Sequence, residues 1–365
     1  MTIAERAQRV RTRLAGADAL LVSDLSNIRW LTGFTGSSGW VVLGPDRLTL
    51  VTDGRYGDQA AQQLAAAGVA GDVLVGSSAA ETLQHVADRC APFASVGFEA
   101  AHVTVLQHSQ YASTIASHLV STCGVVEAER RVKDQEEIEA MALACRIADQ
   151  ALAEVAPSLG DGLTEAQLRN RLEVRMRELG ASGPSYETIV ATGPRNAALP
   201  HHRPTDTVIE SGHTVIIDVG ALVDGYHSDM TRTFVVGDPT PLQQELYDLV
   251  LTAQVAGIAA VAPGLSVTAL DGICRGIITD AGYAGWFTHG TGHGVGLLIH
   301  EDPFVNRTSD AILQVGDVVT VEPGVYREGF GGIRVEDLVV VTSDGCRVLT
   351  ASAKDSPCPQ FRPTT

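Results

Sequence analysis

Short apolar runs alternate with helical spacing through the first 120 residues. Runs at 19–23, 40–43, 48–52, 72–75 and 96–98 predict strands, and the stretches 58–67 and 79–89 between them predict helices. Gly44-Pro45-Asp46 and Gly36-Ser37-Ser38-Gly39 mark tight turns. Arg6, Arg9, Arg11 and Arg13 share the start with apolar Ile3, Val10 and Leu14, which fits an amphipathic helix leading into the first strand better than a transit peptide. This is the alternation of an α/β domain.

The pattern changes at EAERRVKDQEEIE, residues 127–139, where both charge signs crowd together. Such a run reads as a solvated helix or linker, so we place the domain boundary here, giving domains 1–128 and 129–365. Ile138, Met141 and Cys145 then open an apolar stripe that predicts a helix to about residue 156. Thr164-x-x-Gln167 is a capping box for a helix that buries Leu168, Leu172, Met176 and Leu179 and stops at Gly180. Thr240-Pro241 starts a third helix, through 251, and Ser266 a fourth, to about 281. Strands are expected at 188–192, 214–218, 230–236, 318–321 and 332–341. The helix–helix–strand grouping occurs twice, over 136–236 and 240–341, as in a pseudo-duplicated α+β domain.

Charge narrows the class. Twenty-six Lys and Arg against 43 Asp and Glu leave a formal charge of −17, which would repel phosphate backbones and anionic membranes. No nucleic-acid or membrane partner is expected, and no run approaches the ~18 apolar residues of a spanning helix. The six cysteines, 90, 123, 145, 274, 346 and 358, form no C-x-x-C pair. With a charged start lacking a signal-type apolar region, they suggest buried free thiols in the cytoplasm.

Four acids interrupt apolar segments. Asp218 ends VIID, Asp229 follows in HSDMTRTF, Glu322 interrupts VVTVEPG, and Glu336 sits in GGIRVEDLVVV. Alternate strand side chains share a face, which would align Asp229 with Thr231. His293 lies in HGTGHGVG, with His289 before it and His300 after. A buried carboxylate is costly unless it is paired, protonated or metal-bound. Four acids offset two divalent cations in charge, and His293 adds a neutral nitrogen ligand. Oxygen donors with one imidazole and no thiolate favour Mn²⁺, Co²⁺ or Fe²⁺ over a structural zinc. Two such ions about 3.5–4 Å apart can activate a bridging water at neutral pH. His201 and His202 fall in a polar loop where a solvated pair would be ordinary, and His227 reads as a neighbour of the ligands or as exposed.

These segments resemble the pita-bread-fold dinuclear metallopeptidases, in the branch of aminopeptidase P and prolidase (Xaa-Pro dipeptidase). IIDVGALVDGYHSDMTRTF resembles the family's first metal segment, THGTGHGVGLLIHEDP its histidine segment, and VEPGVY and GGIRVED its glutamate segments. The intervals of 11 residues from 218 to 229, 29 from 293 to 322 and 14 from 322 to 336 are compatible with that pattern. NIRWLTGFTGSSG and VTDGRY resemble the creatinase-type N-domain. The resemblance implies an α/β creatinase-like N-domain followed by a pita-bread catalytic domain. It makes Asp218, Asp229, His293, Glu322 and Glu336 the ligands of two divalent ions, Mn²⁺ first, with Co²⁺, Fe²⁺ or Zn²⁺ as alternatives. SYETIVATGPRNAALPHH maps the family's upstream histidine to His201. His201 and His300 would hydrogen-bond the substrate and oxyanion, with His289 lining the pocket. Arg334 would orient acidic groups or a substrate carboxylate, and Glu322 would also shuttle the proton. The implied partner is a proline-containing peptide, and the implied assembly a homodimer or homotetramer.

The alternatives are narrower. Methionine aminopeptidases share the catalytic fold but generally lack the N-domain and the glycine seen here after Glu322-Pro323. Creatinase is metal-free, and a non-enzymatic pita-bread binding protein would not keep a full ligand set. Dipeptidase and aminopeptidase P stay unseparated, because the gate that would distinguish them, the 36–39 loop or a neighbouring subunit's N-domain, has no position in a sequence.

Overall fold

The computed structural model describes residues 2–358. Met1 and residues 359–365, the end of the expected second domain, lie outside the described residues. The chain divides into two compact units, Met1–Arg130 and Arg131–Thr365.

In the first unit, strands β1 (Ala19–Val22), β2 (Trp40–Leu43), β3 (Leu48–Asp53), β4 (Asp72–Gly76), β5 (Ser95–Glu99) and β6 (His118–Thr122) form one sheet in the order β4-β3-β2-β1-β5-β6. β1/β2 and β2/β3 are antiparallel, the second pair a hairpin, while β3/β4, β1/β5 and β5/β6 are parallel. Leu21, Val42, Val51 and Val96 pack under the helix Ala79–Cys90 through Val86, Ala87 and Cys90. Three elements were not foreseen, two for want of apolar pattern and one for its shortness. The edge strand β6 is half exposed, the helix Val105–Thr114 buries only Tyr111, and the helix Leu25–Thr32 is eight residues long, capped by Asp24.

The charged run 127–139, expected as a solvated helix or linker, is helical over Glu127–Arg130 and again from Gln135, but much of it is not solvated. Glu129, Arg130, Lys133 and Glu137 are all buried. Within the first unit Glu129 pairs with Arg9 and Arg13, and Arg130 donates to Asn27 (2.8 Å). Within the second, Arg131 grips Asp317 through two nitrogens (2.9 and 2.6 Å), and Lys133 meets Glu301 at 2.7 Å. Both signs crowd together here because they neutralise partners brought in from elsewhere in each unit. The expectation of mostly buried thiols holds for half of them: Cys90, Cys145 and Cys274 are buried, Cys123 is exposed, and all six are free.

The second unit repeats a theme. Its first half carries the helices Gln135–Val155 and Glu165–Glu178 with strands β7 (Gly183–Pro184), β8 (Ile189–Thr192), β9 (Thr214–Asp218), β10 (Ala221–Val223), β11 (Tyr226–His227) and β12 (Thr231–Val235). Its second half carries the helices Pro241–Ala260 and Val267–Asp280 with β13 (Gly292–Gly294), β14 (Glu301–Val305), β15 (Val318–Val321), β16 (Gly324–Arg327), β17 (Gly331–Arg334), β18 (Asp337–Thr342) and β19 (Gly345–Val348). Capping boxes at Asp134/Glu137, Thr164/Gln167 and Thr240/Gln243 satisfy the first helical amides and set where three of these helices begin. Antiparallel sheets run β12-β9-β8 and β14-β13-β15-β18-β19, with β16 and β17 as a separate hairpin.

Each half has its own core. Leu168, Leu172 and Met176 meet Val215, Ile217 and Phe234 in one, and Leu246, Val250, Leu270 and Cys274 meet Val319, Val321 and Val339 in the other. The helix from Pro241 runs to Ala260 instead of 251, because Ala253, Gln254 and Gly257 continue its buried face. The expected strand 332–341 is two strands in different sheets, broken at Val335-Glu336. Among the described residues no helix is long and apolar enough to cross a membrane.

Removing one member of a buried pair strands the other charge. Glu301→Ala should therefore cost about 3–5 kcal/mol by leaving Lys133 uncompensated. Chemical denaturation followed by fluorescence measures this, and a cost near zero would contradict the burial of the pair.

Candidate metal centre

Apolar strands deliver the polar groups at their ends. Asp218 is the last residue of β9 and registers opposite Thr231, the first of β12. Asp229 lies two residues before β12, Glu322 directly follows β15, and Glu336 occupies the break between β17 and β18. Asp229 therefore does not lie on a strand face with Thr231 as expected; the irregular backbone turns it to the same place.

His293 is the middle residue of β13, which runs between β14 and β15. The glycines on either side allow that approach. A Cβ on Gly292 would sit 2.1 Å from the Thr320 carbonyl oxygen, and one on Gly294 would sit 2.3 Å from that of Asp302.

The side chains converge. Ligand atoms of Asp229, His293 and Glu336 lie within 4.8 Å of one another. His293 Nε2 is 3.5 Å from both Asp229 Oδ2 and Glu322 Oε1. Its Nδ1 donates to the Gly294 carbonyl (3.1 Å), which leaves the Nε2 lone pair facing the carboxylates. Tyr186 bridges Asp218 and Asp229, its hydroxyl within hydrogen-bond reach of both and its one proton shared between them (2.5 Å to Asp229). Glu336 accepts from Thr231 Oγ1 at 2.7 Å, and Glu322 accepts from Thr320 at 3.2 Å. All five residues picked out from the sequence meet here.

Arg334 spans the group. Its Nη2 donates to Asp218 (2.7 Å), Nε to Thr231 (2.9 Å), and Nη1 to both Tyr326 (2.9 Å) and the Pro200 carbonyl (3.0 Å). Tyr326 donates its hydroxyl proton in a hydrogen bond to His289 Nε2 (2.9 Å), whose Nδ1 donates to the Gly290 carbonyl (2.7 Å). Both nitrogens of His289 are thus committed to the protein.

A cavity of about 580 Å³ opens over the cluster. His201 and His300 line it beside Pro200, Ile189, Ile299 and Phe304. The His300 ring stands edge-on to His293, centroids 4.4 Å apart. His202 does not share the solvated position expected for it: it is buried, with Nε2 2.9 Å from Glu165. His227 is half-buried against Ser185 Oγ (2.8 Å), outside the cavity lining. Sequence reasoning missed Tyr186 and Tyr326 as site residues, although both fall inside the quoted segments SYET and VEPGVY.

Burial drives the electrostatics. It raises the carboxyls of Asp229 and Glu336 well above their ordinary range, and the neighbouring acids push them the same way. Glu322 is raised too, first by burial. Burial lowers His293, His289 and His300 and leaves neutral imidazoles. Burial opposes the charge on Arg334, but Tyr326, Asp218, Glu322 and Glu336 outweigh it and hold the guanidinium firmly protonated. One guanidinium against four carboxylates leaves the cluster short of positive charge. Oxygen donors around a neutral imidazole nitrogen are the ligand set that divalent cations satisfy.

Comparison with known proteins follows the same division. Residues 139–343 match the model of metallopeptidase family M24, and residues 6–132 that of the Creatinase/Prolidase N-terminal domain. The uncharacterized peptidase YqhT of Bacillus subtilis is 39% identical over 343 residues, covering 93% of this chain and 95% of that protein. An Xaa-Pro dipeptidase of Pyrococcus furiosus is 42% identical over 231 residues, 63% of this chain and 66% of that protein. The solved structure of an Xaa-Pro dipeptidase from Bacillus anthracis superposes with a TM-score of 0.93 at 36% identity, covering 97% of this chain and 99% of the other.

The glycine packing around His293 has a direct test. Gly292→Ala should destabilise the protein by about 1–3 kcal/mol or more, because backbone must move to admit the methyl. Gly272→Ala, on a helix face with nothing within 4 Å of the new carbon, should be neutral or stabilising by up to about 1 kcal/mol. Equal melting temperatures for the two variants would contradict the close approach.

Proposed function

The chain belongs to metallopeptidase family M24, and we propose that it hydrolyses Xaa-Pro peptide bonds, with Asp218, Asp229, His293, Glu322 and Glu336 holding two divalent ions, Mn²⁺ foremost. The observation that supports this most is the convergence of four carboxylates and one neutral imidazole on the floor of an open cavity. Bound there, divalent ions supply Lewis acidity, polarising a carbonyl and lowering the pKa of water towards neutrality.

The residues divide the remaining work. Glu322 accepts the proton of the attacking water at a carboxylate oxygen and returns it to the departing nitrogen, as a general base and then a general acid. His201 and His300, which line the cavity, donate to the substrate carbonyl and to the oxyanion that forms from it. His289, with both nitrogens engaged, acts as a wall and holds Tyr326. Four of the five N–H groups of Arg334 already have protein acceptors, Asp218 among them, so its main role is to orient Asp218.

Proline specificity has a physical basis. An Xaa-Pro bond lacks an N–H and fixes φ, so sites that read strand-like backbone hydrogen bonds handle it poorly. Ile189, Pro200, Ile299 and Phe304 provide apolar walls suited to the pyrrolidine ring. A cytoplasmic setting and a homodimer or homotetramer belong to this proposal, and light scattering of the purified protein checks the assembly.

Purified protein loaded with Mn²⁺ should cleave Ala-Pro or Ala-Pro-Ala and lose activity on complete chelation. His293→Ala should lose at least about 100-fold in kcat/KM, since one side chain then leaves a shared site. Activity that survives chelation, or that His293→Ala retains, would sink the assignment. Cleavage of Ala-Pro alone identifies a dipeptidase; strong cleavage of the tripeptide identifies an aminopeptidase.

A further inference from the structure

Two buried acids outside the cavity lining hold the segments that carry its histidines. Glu165, the first residue of the helix Glu165–Glu178, is fully buried and accepts five hydrogen bonds. Oε1 takes the Thr192 amide (2.8 Å) and Asn196 Nδ2 (3.1 Å). Oε2 takes His202 Nε2 (2.9 Å), the Thr205 amide (2.9 Å) and the Thr205 hydroxyl (2.8 Å). These donors span the excursion between β8 and β9. His201 stands beside His202 on it, and the Pro200 carbonyl receives Arg334 (3.0 Å).

The second half holds its counterpart in Asp271, also fully buried, on the helix Val267–Asp280. It accepts the Thr291 amide (3.1 Å) and hydroxyl (2.9 Å) and a two-nitrogen grip from Arg275 (both 2.8 Å). Arg275 reaches on to the carbonyls of Phe287 (3.1 Å) and His289 (2.7 Å), with the Phe287 ring 4.0 Å from its guanidinium carbon. The Thr291 carbonyl in turn receives the Glu322 amide at 2.8 Å.

We propose that Glu165 and Asp271 are positioning residues of the active site, one per half, each presetting a cavity histidine and the carboxylate next to it through backbone anchors. Glu165 sets His201 and, through Pro200 and Arg334, Asp218; Asp271 sets His289 and Glu322. The proposal rests on the peptidase reading for its kinetic consequence and on geometry alone for its structural one. A carboxylate is suited to the task because it only accepts, at up to four directions, and can gather donors from several points of one loop. An amide in its place turns an NH₂ towards donors, which repels part of the set. Neither acid touches the cavity, so losing it should slow the reaction without weakening substrate binding. Misplacement by about 1 Å costs up to about 100-fold in rate.

Hydrogen exchange by mass spectrometry and steady-state kinetics on the Mn²⁺-loaded protein test this together. Glu165→Gln should speed exchange over 193–207 and leave 287–291 unchanged; Asp271→Asn should do the reverse. Each should lower kcat on the better of Ala-Pro and Ala-Pro-Ala by about 10–100-fold, with KM within about threefold and metal content by elemental analysis unchanged. Thr205→Val, which removes one donor and keeps the carboxylate, should show the Glu165 pattern more weakly and serves if Glu165→Gln fails to fold. Unchanged kcat with a loosened segment, or exchange raised throughout the unit, would overturn the proposal. A wild-type protein that cleaves neither peptide would remove the peptidase reading, and the exchange pattern would still decide the positioning claim.

Discussion

Four carboxylates share one buried space, and they cannot all stay charged there without cations. Burial alone pushes Asp229, Glu322 and Glu336 towards protonation, and their mutual repulsion adds to it. An unpaired buried charge costs several kcal/mol after relaxation, so a cluster of this kind is tolerable only if compensation is built in. Arg334 supplies part of it, and the hydroxyls of Tyr186, Thr231 and Thr320 supply hydrogen bonds. The balance is left to bound divalent ions, which makes the cluster a holder for metal before it is anything else.

The fold answers that constraint by placing each acid where a strand stops. A residue inside an antiparallel strand is committed to one face, whereas a residue at a strand end or break can turn towards a common point. Asp218, Glu322 and Glu336 all use such junctions, and His293 enters from mid-strand only because glycines thin the backbone around it. Two halves, each with its own core, bring these junctions together. Glu165 and Asp271 link these cores to the site, their hydrogen bonds fastening the excursion between β8 and β9 and the segment leading into β13.

Much of this was readable in the chain. Asp218, Glu322 and Glu336 stood out because each interrupts or adjoins an apolar strand-like run, and Asp229 and His293 gained weight from the segments around them. What stayed hidden was local polarity that serves distant partners. Glu165 looks like a routine acid in the first turn of a helix, and nothing near it announces five donors arriving from residues 192–205. The charged run 127–139 is less solvated than expected for the same reason: Glu129, Arg131 and Lys133 are neutralised by partners far off in sequence. Element ends also slipped where helical and strand patterns ran on past the break, as at Glu336.

The central claim is that five side chains form one dinuclear site. Crystals of the Mn²⁺-loaded protein, measured at the manganese edge, test it most directly. The account predicts two anomalous peaks about 3.5–4 Å apart, within bonding distance of Asp218, Asp229, His293, Glu322 and Glu336 between them. A single peak, or ions bound away from these residues, would contradict it.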